Sequence, residues 1–287
     1  MKKNQHYVFR DYLRPWADGE YINATRNGST FKANLTGVAQ QRFFYKLSDL
    51  TNEDVKFIFD FAIKPLESDL AEINIAWLEK FTAPQKIKEF LIKEGLYNKN
   101  AQEKIDNIYK SFGEELHSSI ESKGIPIIKM LKKNDLSFYD DNNKRASFCH
   151  FLCVQYFRTK KIKDGMLLLA EKKIYLERVW NILSHIYATN VGRSIYLEKY
   201  KFILLSNETK KYFITSDQPV INLLAEEAKK PDQYDIELYY PTSPKTALLV
   251  TNNKNYDNKS LINLDVHEVN KLNDKIREFS SEFIFNK

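Results

Sequence analysis

Three short stretches of the chain combine residue types that could transfer protons or bind a charged group. The first spans residues 4–16, NQHYVFRDYLRPW, in which His6 lies among aromatic residues and arginines. A neutral imidazole can take or give a proton near pH 7. His6 could equally form a hydrogen bond inside a packed segment. This stretch is therefore predicted to be either the wall of a site or a cover over the core.

The second stretch, YFITSDQPV at residues 212–220, places Asp217 where an apolar run ends before a proline. A strand fixes such a carboxylate and the following loop exposes it, which suits a general base or a metal ligand. The alternative is an Asx turn, in which Asp217 binds its own backbone before Pro219.

The third stretch, QYFRTKK at residues 155–161, places Gln155 and Arg158 on one face of a predicted helix. An amide beside a guanidinium suits a phosphate or a carboxylate, because arginine offers a planar fork of donors. The alternative is a basic helix end that complements the helix dipole. A fourth stretch, YYPTSPKTALLV, contains Ser243, which could bind a ligand or shape a turn.

The composition is that of a folded protein with a mildly basic surface. The chain has 287 residues, 43% of them hydrophobic, and 44 basic against 38 acidic residues give a net charge of +6. That balance is compatible with nucleic-acid binding and equally with an ordinary solvated surface. The sequence contains no phosphate-binding loop, dinucleotide-binding glycine pattern or nucleophile elbow. HEVNK, at residues 267–271, has a lysine where a zinc-protease helix needs its second histidine.

The cellular location is predicted from the lack of a signal peptide, the lack of a membrane-spanning stretch and the two cysteines. The charged start, MKKNQHYVF, is not followed by the apolar stretch of a signal peptide, and no window approaches the ~18 apolar residues of a membrane-spanning helix. Cys149 and Cys153 lie four residues apart in a helical stretch and fit buried thiols better than a disulfide or a zinc site. The sequence therefore predicts a cytoplasmic protein without a membrane partner.

The hydrophobic pattern predicts a helical body over residues 51–199. Thr51 or Asn52 should cap its first helix, with Glu53 and Asp54 in the first turn.

Further helices are expected over about residues 84–95 and 100–122, the latter ending at Gly124 and Pro126. Residues 142–199 are predicted as one long helix, or two that are broken near Gly165.

Both ends of the chain are typical of β-structure. Residues 4–20 look extended, and one or two strands are expected from Gly28 onward. KFILLSNETKKYFITSD predicts a strand, a turn and a strand, and DIELYYP and KTALLVT are further strand candidates. A closing helix capped by Asp265 should follow, and EFIF is a candidate last strand.

These elements predict an α+β fold with a largely helical body and an antiparallel sheet. The sheet comes from the C-terminal third, residues 200–287, and the N-terminal strands within residues 1–50 could join it. The chain is predicted to be a single domain over residues 1–287.

Six blocks in one order resemble the bacterial and phage-associated family called domain of unknown function 4238. They are QHYVFRDYLRPW, RFFYKL, CVQYFRTK, FITSDQPV, YYPTSPKTALLV and VNKLND. The family pattern opens Gln-His-Tyr-Val-Pro and continues with Gln-x-x-Arg-Thr, Thr-Ser-Asp-x-Pro and Pro-x-Ser-Pro. This chain departs from it at Phe9 and at Lys160, where the family usually has proline.

The resemblance spans nearly the whole chain and implies a common fold. It also implies that the polar residues of the blocks belong to one site. Carried over to this sequence, those positions are Gln5, His6, Tyr7, Arg14, Tyr45, Gln155, Arg158, Ser216, Asp217, Ser243 and Asn270.

The leading functional prediction is an enzyme acting on phosphodiesters, a nuclease-like or toxin-like effector of bacterial conflict or phage defence. Asp217 would be the general base or the ligand of a divalent metal such as Mg²⁺, and His6 would transfer a proton. Arg158 with Gln155 would clamp a phosphate, and nucleic acid or a protein of a defence system would be the partner. The alternative is a non-catalytic sensor that binds a ligand or a partner with the same residues. In a third interpretation the polar residues form a buried structural network.

Overall fold

In the computed structural model, which describes residues 3–169, 173–225 and 236–287, helices form the middle of the chain and strands lie at both ends. The predicted α+β fold is confirmed. None of the described helices is long and apolar enough to cross a membrane. The helices are α1 (Arg10–Leu13), α2 (Asn52–Ile58), α3 (Ser68–Lys93), α4 (Lys99–Leu131), α5 (Asn142–Phe157), α6 (Lys160–Leu169), α7 (Lys173–Leu197) and α8 (Val266–Phe279). The strands are β1 (Asn4–His6), β2 (Tyr21–Arg26), β3 (Ser29–Asn34), β4 (Gln40–Arg42), β5 (Lys201–Ser206), β6 (Thr215–Ser216), β7 (Ile221–Asn222), β8 (Leu238–Pro241), β9 (Thr246–Thr251), β10 (Leu261–Asn263) and β11 (Ile284–Asn286).

Two helix starts follow directly from capping residues. Thr51 accepts a hydrogen bond from the backbone N–H of Asp54, whose carboxylate accepts one from the backbone N–H of Thr51. Asp265 and Glu268 form the same reciprocal pair at the start of α8. Asp265 was predicted as an N-cap, and Thr51 was one of the two predicted candidates for α2, because a capping box satisfies two backbone groups with residues only three positions apart.

The predicted ends of the middle helices were wrong. Helix α3 contains Pro84, and α4 continues through Gly124 and Pro126 to Leu131. Gly124 lets α4 pass directly against the ring of Phe151 in α5, because a Cβ there would lie 2.4 Å from that ring. The apolar face of α4 continues beyond the proline, and its burial against α5 outweighs the local preference to stop.

The region 142–199 divides at Arg158 and not at Gly165. Helix α5 ends at the C-cap Arg158, whereas Gly165 lies inside α6. The next residue, Thr159, makes a hydrogen bond through its hydroxyl to the side chain of Gln218, which fixes the chain at this corner.

Strand pairing joins the two ends of the chain. The order in one sheet is β3-β2-β11-β6, with Ala24 of β2 opposite Phe285 of β11 in an antiparallel pair. The predicted contact between N-terminal strands and the C-terminal third is therefore confirmed. The second sheet has the order β10-β5-β9-β8-β7, and β1 pairs with β4 in a third.

Two local predictions of β-structure were wrong. Strands β5 and β6 do not form a hairpin, because β5 pairs with β9 and β10 while β6 pairs with β11 in the other sheet. Residues 4–20 are extended only at β1 and are then helical in α1 and in the 3-10 turn Arg14–Trp16. We call residues 4–16 the strap.

Candidate functional site

The strap is anchored to the rest of the fold through side chains of the predicted motif blocks. Gln5 donates to the carbonyl of Lys110 at 2.7 Å and accepts from the backbone N–H of Tyr45 at 2.8 Å. The hydroxyl of Tyr12 lies 2.6 Å from that of Thr215, and the Trp16 indole donates to the carbonyl of Phe213 at 2.7 Å. These bonds bring the first, second and fourth blocks together, so Gln5 acts as a buried anchor of the backbone.

Asp217 lies in a buried clasp between β6 and the segment before β11. Its two carboxylate oxygens accept backbone N–H groups from Ser281 at 2.8 Å, Glu282 at 2.7 Å and Phe283 at 3.2 Å. Burial raises the pKa of this carboxyl and outweighs the three hydrogen bonds, which lower it. We call this arrangement the Asp217 clasp, and its contacts are those of a structural link.

The neighbours of Asp217 connect the clasp to α5. Ser216 forms a turn with Gln218, donating to its carbonyl at 3.0 Å and accepting from its N–H at 3.1 Å. The side chain of Gln218 donates to the carbonyl of Tyr156 at 3.2 Å and contacts the hydroxyl of Thr159. Sequence reasoning missed Gln218 as a link, although it occupies the variable position of the Thr-Ser-Asp-x-Pro block.

Three predicted site residues lie apart from this region. Arg14 is on the surface, where it pairs with Asp11 and Glu20 at 3.0 and 2.5 Å. Ser243 shapes the turn between β8 and β9 by accepting the backbone N–H of Thr246 at 3.0 Å. Asn270 is exposed on α8.

The buried asparagine of α8 is Asn273, which sequence reasoning missed. Its side chain accepts from the N–H of Ile214 at 3.0 Å and donates to the carbonyl of Tyr212 at 2.9 Å. The signal was present in the same VNKLND block, where the second asparagine falls on the apolar face of the helix with Val269 and Ile276.

A groove runs between the strap and α4, and we call it the strap–α4 groove. One section, a pocket of about 120 Å³, is lined mainly by acidic residues and His6, and the next, of about 440 Å³, is lined mainly by cationic residues. Phe9 and Asp11 line both sections, so the two are adjacent. The first section is also lined by His6, Arg10, Glu114, Ser118 and Glu121, and the second by Arg14, Pro15, Ile125, Ile128, Lys129 and Lys132.

Glu114 and Glu121 were not predicted as site residues. They lie seven positions apart on α4, which is two helical turns, so both side chains project from the same face. That spacing was the only signal in the sequence, and acidic residues on a helix ordinarily face solvent.

Arg158 lies behind the first section of the groove with only 2% of its surface exposed. Its Nη1 atom donates to Glu121 at 2.7 Å, and its guanidinium carbon lies 5.8 Å from the centre of the Phe9 ring. The buried hydroxyl of Tyr45 donates to the carbonyl of His6 at 3.3 Å. The structure thus brings His6, Tyr45 and Arg158 together around Glu121.

Tyr7 follows His6 in the strap and is buried against Phe44, with the ring centres 5.2 Å apart. Burial raises the pKa of its phenol well above the ordinary value, and the charges of Asp217 and Glu282 raise it further. Tyr7 therefore stays neutral between the groove and the Asp217 clasp.

Three further histidines form an aromatic stack with Trp77, in which His117 and His185 are buried and His150 is half-buried. His117 lies 4.1 Å from the ring of Tyr45 and 5.1 Å from His185, and Trp77 lies 4.9 Å from His185 and 5.9 Å from His150. Burial lowers the pKa of His185 to about 3 and of His150 to about 4, and it lowers the pKa of His117 strongly. All three imidazoles are neutral at pH 7. We call these residues the histidine stack.

Metal-ligating side chains do not converge in the part of the chain that the structure describes. No three His, Cys, Asp or Glu residues there could hold one ion. Cys149 and Cys153 are buried free thiols, as predicted, and burial raises the pKa of Cys149 to about 12.

The position of Tyr45 depends on a glycine of α4. A Cβ built on Gly113 would lie 2.4 Å from the Cβ and 2.8 Å from the carbonyl oxygen of Tyr45. Gly113→Ala is therefore expected to displace Tyr45 and to lower the free energy of unfolding by about 1–3 kcal/mol in urea denaturation.

The matched control is Gly165→Ala inside α6, where an added Cβ meets no described atom within 4 Å. It should be neutral or stabilise by about 0.5–1 kcal/mol, because alanine loses less backbone entropy in a helix. Equal effects of the two substitutions would contradict the role of Gly113.

The fold and the groove define an α+β protein with a polar site enclosed between an N-terminal strap and a long helix. A family model described as "Protein of unknown function (DUF4238)" matches residues 4–287, so the chain belongs to this family. The predicted family is thereby confirmed. Comparisons with the curated proteins and with the solved structures find no match.

Proposed function

We propose that this protein acts on phosphodiesters by acid–base chemistry in the strap–α4 groove. One observation carries the proposal: His6, Glu114 and Glu121 line a single pocket of about 120 Å³. An imidazole and a carboxylate within one small pocket are the groups that general acid–base catalysis requires. A pocket of this size holds a phosphate group, and the adjoining section of about 440 Å³ falls in the range of ligand sites of about 300–1,000 Å³.

The charges along the groove support a polyanionic substrate. Arg158 forms an ion pair with Glu121 at 2.7 Å, and its positive charge offsets the negative charge of this glutamate in the pocket. Arg10 lines the same pocket, while Lys129 and Lys132 line the wider section. In this proposal the reacting phosphate lies beside Arg10, and the next phosphate of the chain lies along the two lysines.

The proposal assigns the proton transfers to Glu114 and His6. Glu114 takes the proton of an attacking hydroxyl, whose oxygen forms the new bond to phosphorus. The bond from phosphorus to the leaving oxygen breaks, and protonated His6 gives its proton to that oxygen. Asp217 has no part in this scheme, because three backbone N–H groups already occupy its carboxylate oxygens. For the same reason those oxygens do not suit a Mg²⁺ ion, and the scheme uses no metal.

A non-catalytic sensor is the second candidate function. The observation that favours it is the depth of Arg158 and Gln155, which are 2% and 0% exposed and therefore lie out of reach of a long polymer. A role in bacterial conflict or phage defence, with nucleic acid or a defence protein as partner, stays a prediction under either function.

The proposal is tested by incubating purified protein with RNA, single-stranded DNA and duplex DNA, in EDTA and in Mg²⁺ or Mn²⁺. Wild type should cleave at least one substrate, and His6→Gln and Glu114→Gln should each slow cleavage by about 100-fold or more. Glu115→Gln is the matched control, since this neighbouring glutamate is exposed and does not line the groove. Intact nucleic acid in every condition, with folded wild type, would favour the sensor.

A further inference from the structure

The outward side of α3 carries a regular row of largely apolar residues, which we call the α3 stripe. Its members are spaced alternately three and four positions apart: Ile73, Ala76, Lys80, Ala83, Ile87 and Phe90. This spacing keeps side chains on one side of a helix over several turns, and it is the spacing by which two helices pack side by side. All six residues are exposed, and the side chains of Phe90, Ile87 and Ile73 are 58%, 50% and 45% accessible.

The opposite side of α3 already packs against the rest of the protein. The Trp77 indole donates to the hydroxyl of Thr189 at 2.8 Å, and the ring of Phe81 lies 5.1 Å from that of Phe112. Pro84 is buried as well, so its ring does not project into the stripe. The stripe is therefore a second apolar face of α3, and the described part of the chain leaves it uncovered. Single exposed apolar residues are ordinary, whereas a continuous row of them marks a surface that binds something.

Charged residues follow one edge of the stripe at intervals of seven positions. In chain order they are Glu72, Glu79, Lys86 and Lys93. All four are exposed, and none forms an ion pair within the described part of the chain. The first half of this edge is acidic and the second half is basic. Such an edge is complementary to a copy of itself that runs in the opposite direction.

The stripe is also complementary to an antiparallel copy of itself. Its spacings of three, four, three, four and three are the same when read from either end. A two-fold axis that crosses the stripe between Lys80 and Ala83 places Ile73 against Phe90 of the second copy. The same axis places Ala76 against Ile87 of the second copy, so a small side chain meets a large one. Every contact occurs twice, as in any two-fold interface between identical chains.

The same two-fold axis pairs the charges along the edge. Glu72 comes beside Lys93 of the second copy, and Glu79 comes beside Lys86 of the second copy. A parallel pair of helices would instead place this edge opposite the other edge of the stripe. The residues of that other edge carry no charge: Trp77, Pro84 and Leu91. The charges therefore favour the antiparallel arrangement alone.

We propose that the α3 stripe is the interface of a homodimer, in which two copies of α3 pack antiparallel about a two-fold axis. The apolar side chains supply most of the attraction, and the ion pairs at the edge determine the direction. Lys80 lies at the centre with its Nζ atom 5.3 Å from the centre of the Trp77 ring. A single lysine at such a position costs stability but fixes the register of the two helices. No residue of the stripe lines the strap–α4 groove, so the dimer does not depend on the proposed cleavage reaction.

Sedimentation of the full chain tests the interface over protein concentrations from about 1 to 100 µM. Wild type should show a reversible equilibrium between monomer and dimer, because one pair of helices is a small interface. Phe90→Glu should raise the dissociation constant of the dimer by about 10-fold or more, since it places a charge in the apolar layer. It should fold as wild type does, because Phe90 is exposed in the monomer. Leu168→Glu on α6 is the matched control, since Leu168 is 76% exposed and lies outside the stripe; it should dimerise as wild type does.

Charge exchange tests the antiparallel direction. One variant combines Glu72→Lys with Glu79→Lys, and the other combines Lys86→Glu with Lys93→Glu. Each variant alone has four like charges along the edge and should stay monomeric, whereas an equal mixture should form a heterodimer. A chain with all four substitutions keeps the net charge and the complementarity of wild type, and it should form a homodimer.

Wild type that stays monomeric over this concentration range overturns the inference, as does a dimer that Phe90→Glu leaves unchanged. A monomer that binds vesicles of anionic lipid, and loses that binding in Phe90→Glu, would assign the stripe to a membrane surface instead. Charge variants that stay monomeric when mixed, or that dimerise separately, would exclude the antiparallel pairing. The result of the nucleic-acid cleavage assay has no bearing on any of these outcomes.

Discussion

Asp217→Asn should lower the free energy of unfolding by about 2–4 kcal/mol, because it breaks the Asp217 clasp. Asparagine has one acceptor oxygen, so at least one of the three backbone N–H groups at 281–283 loses its partner and faces an N–H₂ group. Leaving a buried donor unsatisfied costs about 1–3 kcal/mol, and bonds to a charged acceptor are stronger than bonds to a neutral one. Urea denaturation of the two proteins measures the difference.

Asp274→Asn is the control for this prediction, since Asp274 is an exposed residue of α8 whose side chain is 74% accessible. It should change stability by no more than about 0.5 kcal/mol. A stable Asp217→Asn variant that had lost a nucleic-acid-cleaving activity would contradict the clasp and restore Asp217 as the predicted general base.

Acid should destabilise the protein as the pH falls below 6.5, because of the histidine stack. The folded-state pKa values of His185 and His150 are lowered to about 3 and about 4, and that of His117 is lowered as well. Below pH 6.5 the unfolded chain takes up protons on these imidazoles while the folded chain does not. The stability present above pH 6.5 is therefore lost as the pH falls.

Each such histidine lowers the free energy of unfolding by about 1.4 kcal/mol per pH unit. The three together therefore lower it by about 4 kcal/mol between pH 5.5 and 4.5. Urea denaturation at several pH values measures the slope. His185→Phe, which keeps an aromatic ring in the stack, should reduce the slope by about a third, whereas His267→Gln on the exposed face of α8 should not change it. Equal stability at pH 6.5 and 4.5 would mean that these imidazoles are not held neutral.

Features of the fold that depend on neighbouring residues were predictable from the sequence. The N-caps Thr51 and Asp265 satisfy backbone groups three positions away, so a short window contains the whole signal. Features that depend on distant packing were not predictable. Helix α4 passes through Pro126 because its apolar face meets α5, and β6 leaves β5 because β11 provides its partner.

The same distinction between local signals and distant packing applies to the residues of the candidate site. The strap and the helix end at Arg158 carry aromatic, imidazole and guanidinium groups whose chemistry is evident from their types. Glu114 and Glu121 are ordinary residues of a charged helix until the strap is laid against them. Asp217 shows the reverse case, because a carboxylate at a strand end looks catalytic until its three backbone partners are known.

The pairing of β2 with β11 has a consequence for synthesis of the protein. The strap is held by bonds from Tyr12 to Thr215 of β6 and from Trp16 to Phe213, and β6 pairs with β11, which includes Phe285. The anchors of the strap therefore belong to a sheet that also needs β11, so a nascent chain cannot complete them until β11 has left the ribosome. Since contacts between distant parts of a sequence also form slowly, closure of the strap–α4 groove should be a late step of folding.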